Sequence, residues 1–187
     1  MQNIKRDIYL QRLIDREQNG LVKIITGIRR CGKSYLLNNL FYGFLKEKGV
    51  KDDHIIKIAL DDDINNNLLL PKELNRHIKN LIVDDELYYI LLDEIQLVDN
   101  FVGVLNGLLK LSNVDIYVTG SNSKFLSTDI VTEFRGRGDE VRILPLSFSE
   151  FMSVYNGSPI DGWKEYYTYG GLPLVLAQKS EEAKMPT

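Results

Sequence analysis

Gly27-Ile28-Arg29-Arg30-Cys31-Gly32-Lys33-Ser34 is the stretch that decides how this chain reads. Its spaced glycines, followed by a lysine and a hydroxyl, let successive backbone N–H groups curl around a phosphate at the start of a helix, where the macrodipole favours negative charge. Upstream, Leu21 to Thr26 is a short β-type apolar run. Downstream, Leu37, Leu40, Phe41, Phe44 and Leu45 fall at i, i+3, i+4, i+7 and i+8, one helical stripe ending near Gly49. Strand, glycine loop and amphipathic helix in that order are the context in which the octet binds phosphate; the alternative is a glycine turn with an exposed lysine. Gly27, Ile28, Arg29, Arg30, Cys31, Gly32, Lys33, Ser34 and the following Tyr35 are therefore the candidate residues for holding ATP. Lys33 is placed to reach the β and γ phosphates, and the Ser34 hydroxyl to ligate Mg²⁺.

Working outward, Tyr9, Leu10, Leu13 and Ile14 keep helical spacing and stop at Asn19-Gly20. After the octet the alternation of strand and helix repeats. Ile55 to Leu60 reads as a strand, and Pro71 opens a helix with Leu74, Ile78, Leu81 and Ile82 on one face. Tyr88 to Leu92 is the next strand, Asp99 can cap a helix bearing Phe101, Leu105, Leu108 and Leu109, and Val114 to Thr119 follows as a fourth strand. Val141 to Leu144 is the fifth. Continuous apolar strands separated by helix-length segments predict a parallel sheet covered on both faces, a three-layer α/β fold. Past Pro145 the capping box Ser147-Phe148-Ser149-Glu150 opens a helix with Phe151, Met152 and Tyr155. The expected division is residues 1–146 as the α/β core and 147–187 as a helical extension and the start of a lid. Gln178 to Thr187 is polar and arrives without a helix stop, so the chain is expected to break off inside an element. Trp163, Tyr166, Tyr167 and Tyr169 read as a helical packing seam rather than a surface for stacking bases. Asp61 to Asn67 reads as a polar loop.

With 187 residues, 44% of them hydrophobic, the chain can bury one substantial core. Lys and Arg number 23 against 26 Asp and Glu, a formal charge of -3, so nucleic acid is a possible partner that the net charge does not support. No run approaches the roughly 18 apolar residues of a membrane span, and Met1 to Ile14 mixes charged and apolar groups too evenly for a signal peptide. The expectation is a cytoplasmic protein with no membrane contact. Cys31 stands alone, which excludes an internal disulfide, and reads as buried and inert. His54 and His77 are far apart in sequence with no ligand-like neighbours, and no structural zinc is expected.

A Mg²⁺-dependent phosphate loop calls for a carboxylate and an oriented water. Tyr89-Ile90-Leu91-Leu92-Asp93-Glu94 supplies both candidates. The apolar strand delivers Asp93 to its C-terminal edge, where parallel sheets place ligands, to hold Mg²⁺ through water. Glu94 would polarise the attacking water. A third strand end, Ile116-Tyr117-Val118-Thr119-Gly120-Ser121-Asn122, carries small polar groups. If it lies between the other two strands, Ser121 or Asn122 could hydrogen-bond the γ phosphate or the water; Asn122 is the preferred candidate.

These blocks, in this order, resemble the AAA+ superfamily of P-loop ATPases, with the three strand ends as its Walker A, Walker B and sensor 1. More narrowly, Leu-Asp-Glu-Ile-Gln, Thr-Gly-Ser-Asn-Ser, Gly-Arg and Pro-Leu-Ser-Phe-Ser-Glu-Phe resemble a group of prokaryotic predicted ATPases in which the ATPase domain precedes a second domain. The resemblance runs from about Ile4 to Leu176. It implies a sheet order of 5-1-4-3-2 and a C-terminal domain that this chain lacks. It also implies a possible homo-oligomer in which Arg137, or its neighbour Arg135, acts as an arginine finger on a neighbouring subunit's γ phosphate. Tyr169-Gly170-Gly171-Leu172-Pro173-Leu174 is similar to the Gly-Leu-Pro-Leu motif of the STAND ATPases, which implies that Pro173 approaches the adenine side of the nucleotide. The expected function is ATP hydrolysis coupled to a conformational change in an attached domain or partner. A small-molecule kinase and a non-hydrolysing nucleotide-dependent binding switch are the alternatives. Glu94 disfavours the kinase, which needs an acceptor rather than an activated water.

Overall fold

Tyr88–Asp93 is a strand buried along its whole length, and its side chains divide between two cores. Tyr88, Ile90 and Leu92 enter one, while Tyr89 and Leu91 enter the other. Successive residues of a strand point to opposite faces, so a strand that is apolar throughout must be covered on both sides. The computed structural model describes residues 4–121, 134 and 136–177. Within them the parallel sheet comprises β1 (Val22–Thr26), β2 (Ile55–Ala59), β3 (Tyr88–Asp93), β4 (Val114–Thr119) and β5 (Gly138–Arg142). Its order is β2-β3-β4-β1-β5, the 5-1-4-3-2 order that the resemblance implied. Asn122, Arg135 and Gln178 to Thr187 lie outside the described residues.

One face is covered by helices α1 (Asp7–Ile14) and α2, the composite helix that follows the glycine loop. That helix runs from Lys33–Tyr35 through a π-helical stretch, Leu36–Phe41, into Tyr42–Glu47. Leu13, Leu36, Leu37, Phe41 and Leu45 pack there against Ile25, Leu91 and Tyr117. The other face is covered by α3 (Pro71–Leu81) and α4 (Phe101–Leu108) through Leu74, Ile78, Val104, Leu105 and Leu108. A third apolar cluster, Leu146, Phe151 and Val175, forms among α5 (Phe148–Met152), α6 (Pro159–Tyr169) and α7 (Pro173–Ala177). The Ser147–Glu150 capping box is present with both of its reciprocal hydrogen bonds.

Several local readings are corrected. The fifth strand begins at Gly138 rather than Val141, because β5 is an edge strand that buries only Val141 fully and so carries polar residues on its other positions. The α4 cap is Asn100 rather than Asp99: Asn100 adopts φ 48°, a left-handed conformation that asparagine tolerates, and its side chain makes no capping bond. The polar segment after β2 is a 3₁₀ turn, Asp63–Leu69, whose Ile64 N–H donates to Asp62 and whose Leu68 is buried. Of the four aromatics in the tail, Tyr166 packs against Phe148 and Phe151. Trp163 also meets Phe148 edge-on, with centroids 5.1 Å apart, yet like Tyr167 it is largely exposed. His54 has carboxylate neighbours: the adjacent Asp53, and Asp84 and Glu86, which sequence distance concealed. No helix among the described residues is long and apolar enough to cross a membrane.

At the N-terminal end of the sheet, Lys23 on β1 is fully buried and paired with Asp115 on β4. Its ammonium also donates to the Leu21 carbonyl at 2.9 Å and lies 4.7 Å from the Tyr117 ring centroid. Burial holds the lysine below its usual range in spite of Asp115. Removing one member of such a pair strands a charge in the interior, at a cost of roughly 3–5 kcal/mol. Asp115→Ala is therefore expected to lower the melting temperature by about 10 °C in differential scanning fluorimetry. Lys23→Met combined with Asp115→Leu should recover most of the loss, because no charge is then left unpaired.

Candidate functional site

Register brings the site together. Ile25 of β1 pairs with Thr119 of β4, and Leu92 of β3 pairs with Val118 of β4. Thr26, Asp93 and Thr119 therefore end at one level on the C-terminal edge of three adjacent strands. β4 lies between β1 and β3, the condition under which its strand end could serve the same ligand.

The loop from Gly27 to Gly32 leaves this edge in backbone conformations that only certain residues adopt. Gly27 has φ 150°, and a Cβ there would lie 2.5 Å from the Ile143 carbonyl oxygen. Gly32, at φ 100°, sits in the left-handed region immediately before α2. Arg30 also has positive φ, and the side chains of Ile28, Arg29 and Arg30 face solvent. Lys33 is 3% exposed and turned into the loop, where its ammonium donates to the carbonyls of Gly27 and Ile28 at 3.1 Å each. Cys31 is fully buried, and burial pushes its thiol above the usual range, which makes it unreactive. Tyr35 is half-buried one turn into the helix.

The Asp93 carboxylate is 4% exposed and collects three donors from two elements, α2 and β4. Ser34 Oγ donates to Oδ1 at 3.1 Å, Asn38 Nδ2 to Oδ2 at 2.9 Å, and the Thr119 hydroxyl to Oδ1. Burial raises the Asp93 carboxyl above the ordinary carboxylate range, the Thr119 and Ser34 hydrogen bonds pull it down, and the charges of Glu94 and Asp61 add to the rise. Glu94 occupies a left-handed conformation, φ 56°, which costs a non-glycine residue roughly 1–3 kcal/mol and marks functional sites. Its backbone N–H donates to Thr119 Oγ1 at 3.0 Å. Its carboxylate accepts from Ser121 Oγ at 2.9 Å and from the Gln96 amide.

The residues present fit a Mg²⁺–nucleotide. A hydroxyl and a buried carboxylate stand 3.1 Å apart at the start of α2, the donor types that a hard cation takes. Asn38 Oδ1 and Gln96 Oε1, on the amides that donate to Asp93 and Glu94, are buried acceptors with no hydrogen-bond partner among the described residues.

Sequence reading named Lys33, Ser34, Asp93 and Glu94, and all four stand at this edge. Pro173 also comes close, since a Cβ on Gly32 would lie 3.9 Å from Pro173 Cγ. Arg137 does not join them. It precedes β5 at the opposite, N-terminal edge, where its carbonyl accepts from Val22 N at 2.9 Å and its guanidinium reaches Asn106 at 3.3 Å. Sequence reading passed over Asn38, Thr119 and Gln96. The available signal for Asn38 was its place four residues after Ser34, on the same side of a helix.

A glycine loop between a buried parallel strand and a helix, beside a strand-end carboxylate, defines the P-loop class of three-layer α/β folds. A family model described as an AAA domain matches residues 19–152. The chain belongs to that family, within the AAA+ superfamily of P-loop ATPases. An uncharacterised protein of Haemophilus influenzae is 34% identical over 179 residues, covering 92% of this chain and 44% of that protein. One from Methanocaldococcus jannaschii is 32% identical over 200 residues, covering 97% of this chain and 41% of its own length. The chain thus spans less than half of these relatives. Among solved structures, Cdc6p from Pyrobaculum aerophilum superposes with a TM-score of 0.57 at 12% identity, over 88% of this chain and 51% of the other. The Aeropyrum pernix ORC1 protein, solved in complex with DNA, gives 0.56 at 13% identity over 93% and 58%. These last two likenesses concern the fold.

The Asp93 shift predicts a stability effect. A carboxyl whose folded value is raised favours the folded state most at low pH, and that advantage disappears as pH rises through the folded value. At neutral pH the ionised group costs stability. Asp93→Asn is therefore expected to melt at or above the wild-type temperature at pH 7 in a thermal scan, while losing the Mg²⁺ dependence of nucleotide binding. A drop of several degrees would contradict this reading of the carboxylate.

Proposed function

We propose that this chain binds ATP with Mg²⁺ through the Gly27–Tyr35 segment and hydrolyses it, and that the helices after Leu146 respond to the nucleotide state. The observation that carries the reading is the convergence of Lys33, the Ser34–Asp93 pair and Glu94 on one edge of the sheet. The loop N–H groups and Lys33 bind the phosphates, exchanging the carbonyl partners of the ammonium for phosphate oxygens. Ser34 and Asp93 would hold Mg²⁺, which offsets charge on the β and γ phosphates when bound. Glu94 accepts a proton from the attacking water as its oxygen approaches the γ phosphorus, and the bond to the ADP oxygen breaks. Thr119, Ser121 and Gln96 fix where that carboxylate points, and preorganisation of this kind supplies much of a catalyst's advantage.

Residues 147 onward serve as the responding element in this proposal. Leu146 N donates to Gly171 O at 2.7 Å, Tyr166 donates its hydroxyl proton to Leu146 O at 2.8 Å, and Leu172 packs against both the second and third cores. A shift of Pro173 against the phosphate loop would therefore be passed to α6 and α7. The output would be a conformational change in the attached part of a longer protein, or in a partner. DNA is not part of the proposal, because the ORC1 likeness is one of fold and the net charge is -3.

Arg137 can act only on another chain. β5 spans five residues, so its two ends are separated by roughly 17 Å at about 3.3 Å per residue. We assign it to a neighbouring subunit's γ phosphate in a homo-oligomer.

Glu94→Gln is expected to bind MgATP with unchanged affinity by calorimetry and to lose hydrolysis by at least about 100-fold in a phosphate-release assay. Wild-type turnover in that variant would move the proton acceptor elsewhere. For the trans assignment, Arg137→Ala and Lys33→Ala should each be inactive, and mixing them should restore turnover through assemblies that pair an intact loop with an intact arginine. No recovery in samples shown by light scattering to be mixed oligomers would remove Arg137 from the mechanism.

A further inference from the structure

At the far edge of the sheet from the phosphate loop, the turn entering β2 and the loop entering β3 bring three donor groups together. His54 Nε2 lies 3.3 Å from Asp84 Oδ1 and 3.3 Å from Glu86 Oε2, and the three atoms lie within 4.8 Å of one another. The His54 ring is 5% exposed and stacked on Tyr88, with centroids 4.5 Å apart, so its orientation is fixed. Its other nitrogen, Nδ1, is 2.7 Å from Asp53 Oδ1. With its proton on Nδ1, the neutral ring would turn the Nε2 lone pair toward Asp84 and Glu86. This carboxylate–imidazole arrangement is the one that orients histidine ligands in metal sites. Asp84 Oδ1 is anchored in turn by the Glu86 N–H at 2.9 Å.

The spacing fits a bridging cation as well as it fits a long hydrogen bond. An N–H···O bond most often closes to about 2.9–3.0 Å. Ligands on a tetrahedral Zn²⁺, at about 2.0–2.1 Å from the metal, stand about 3.3–3.4 Å apart, as His54 Nε2 does from both carboxylates. One imidazole and two carboxylates suit Zn²⁺ and its transition-metal neighbours, whereas Mg²⁺ prefers oxygen donors alone. An open cavity beside His54 and Glu86, bounded by Gly49, Lys51 and Tyr89, gives an ion access. The competing group is Lys51, whose ammonium lies 3.0 Å from Glu86 Oε2.

We propose that His54, Asp84 and Glu86 form a binding site for a divalent transition metal of the zinc class, with a fourth position open to water. The ion would clip the edge strand β2 to β3 at their N-terminal ends. β3 spans six residues, so this site is roughly 20 Å from Asp93 and separate from the Mg²⁺ position. It revises the expectation, drawn from linear spacing, that the chain holds no structural zinc.

The test titrates Zn²⁺ into the full chain without nucleotide and in excess Mg²⁺, followed by calorimetry and thermal scanning. One Zn²⁺ per chain and a raised melting temperature are expected, and Co²⁺ should give the intense visible absorption of a tetrahedral site. His54→Gln should abolish binding. Asp84→Asn and Glu86→Gln alter exposed carboxylates, so both should fold, and each should weaken binding at least about 10-fold. Asp53→Asn should weaken it about 10- to 100-fold through the histidine orientation. Lys51→Met should tighten it. Absence of stoichiometric binding in the wild type would overturn the proposal. So would binding that survives both Asp84→Asn and Glu86→Gln, or binding that persists in His54→Gln and is lost in Asp93→Asn.

Discussion

The hydrogen bonds that converge on the Asp93 side chain are the constraint around which the candidate site is arranged. The carboxylate takes hydrogen bonds from Ser34 and Asn38 on the helix after the phosphate loop and from Thr119 on the neighbouring strand. Three elements distant in sequence are thereby tied at one level of the sheet. A buried carboxylate without such donors would be expensive, so the arrangement is as much a constraint on the fold as a feature of the site. The π-helical stretch Leu36–Phe41 belongs to the same constraint. It contains Asn38, and widened turns of this kind commonly occur where a helix must present a functional side chain.

Strain and incomplete satisfaction are both present at this edge, as they are at a few other places in the fold. Glu94 is left-handed, Asp93 is held above its ordinary range by burial, and Asn38 and Gln96 each carry a buried acceptor without a protein partner among the described residues. Elsewhere the sheet is built from fully buried Ile, Leu, Val and Tyr packed against four helices, which supplies the stability against which such local costs can stand. Local conflict with an otherwise consistent fold is the usual mark of a functional region. The same contrast separates the Lys23–Asp115 pair from the site: that pair is buried and charged, yet each member has its partners and neither approaches the ligand edge.

The two ends of the sheet have different work in the functional reading. The C-terminal edge gathers the phosphate loop, Asp93, Glu94 and Pro173. The N-terminal edge carries Arg137, the Lys23–Asp115 pair and the His54 cluster. In the proposed mechanism an arginine at that edge would reach a nucleotide only across a boundary between chains, which would link catalysis to assembly. Leu172, shared between the second and third cores, links the nucleotide edge to the helices that follow.

The sequence by itself determined the class of fold and named the central residues of the candidate site. Apolar strand runs, the glycine octet and the Asp93-Glu94 strand end are local signals, because backbone conformation, phosphate cradling and strand burial each depend on residues adjacent in the chain. Local signals misplaced boundaries where burial was partial: β5, exposed on one side, carries polar residues at its start, so its beginning was read three residues late, and Asn100 caps α4 through its own backbone conformation rather than a side-chain bond. What only the tertiary structure decided were relations between segments. Register brought Thr119 and Ser121 to Asp93 and Glu94, helix geometry turned Asn38 toward the same carboxylate, and the sheet placed Arg137 at the wrong edge for its own phosphate. His54, Asp84 and Glu86 became neighbours only because β2 pairs with β3 in parallel, which lays the entrances of two strands some thirty residues apart side by side. No spacing rule along a chain encodes a distance that a hydrogen-bonded register sets.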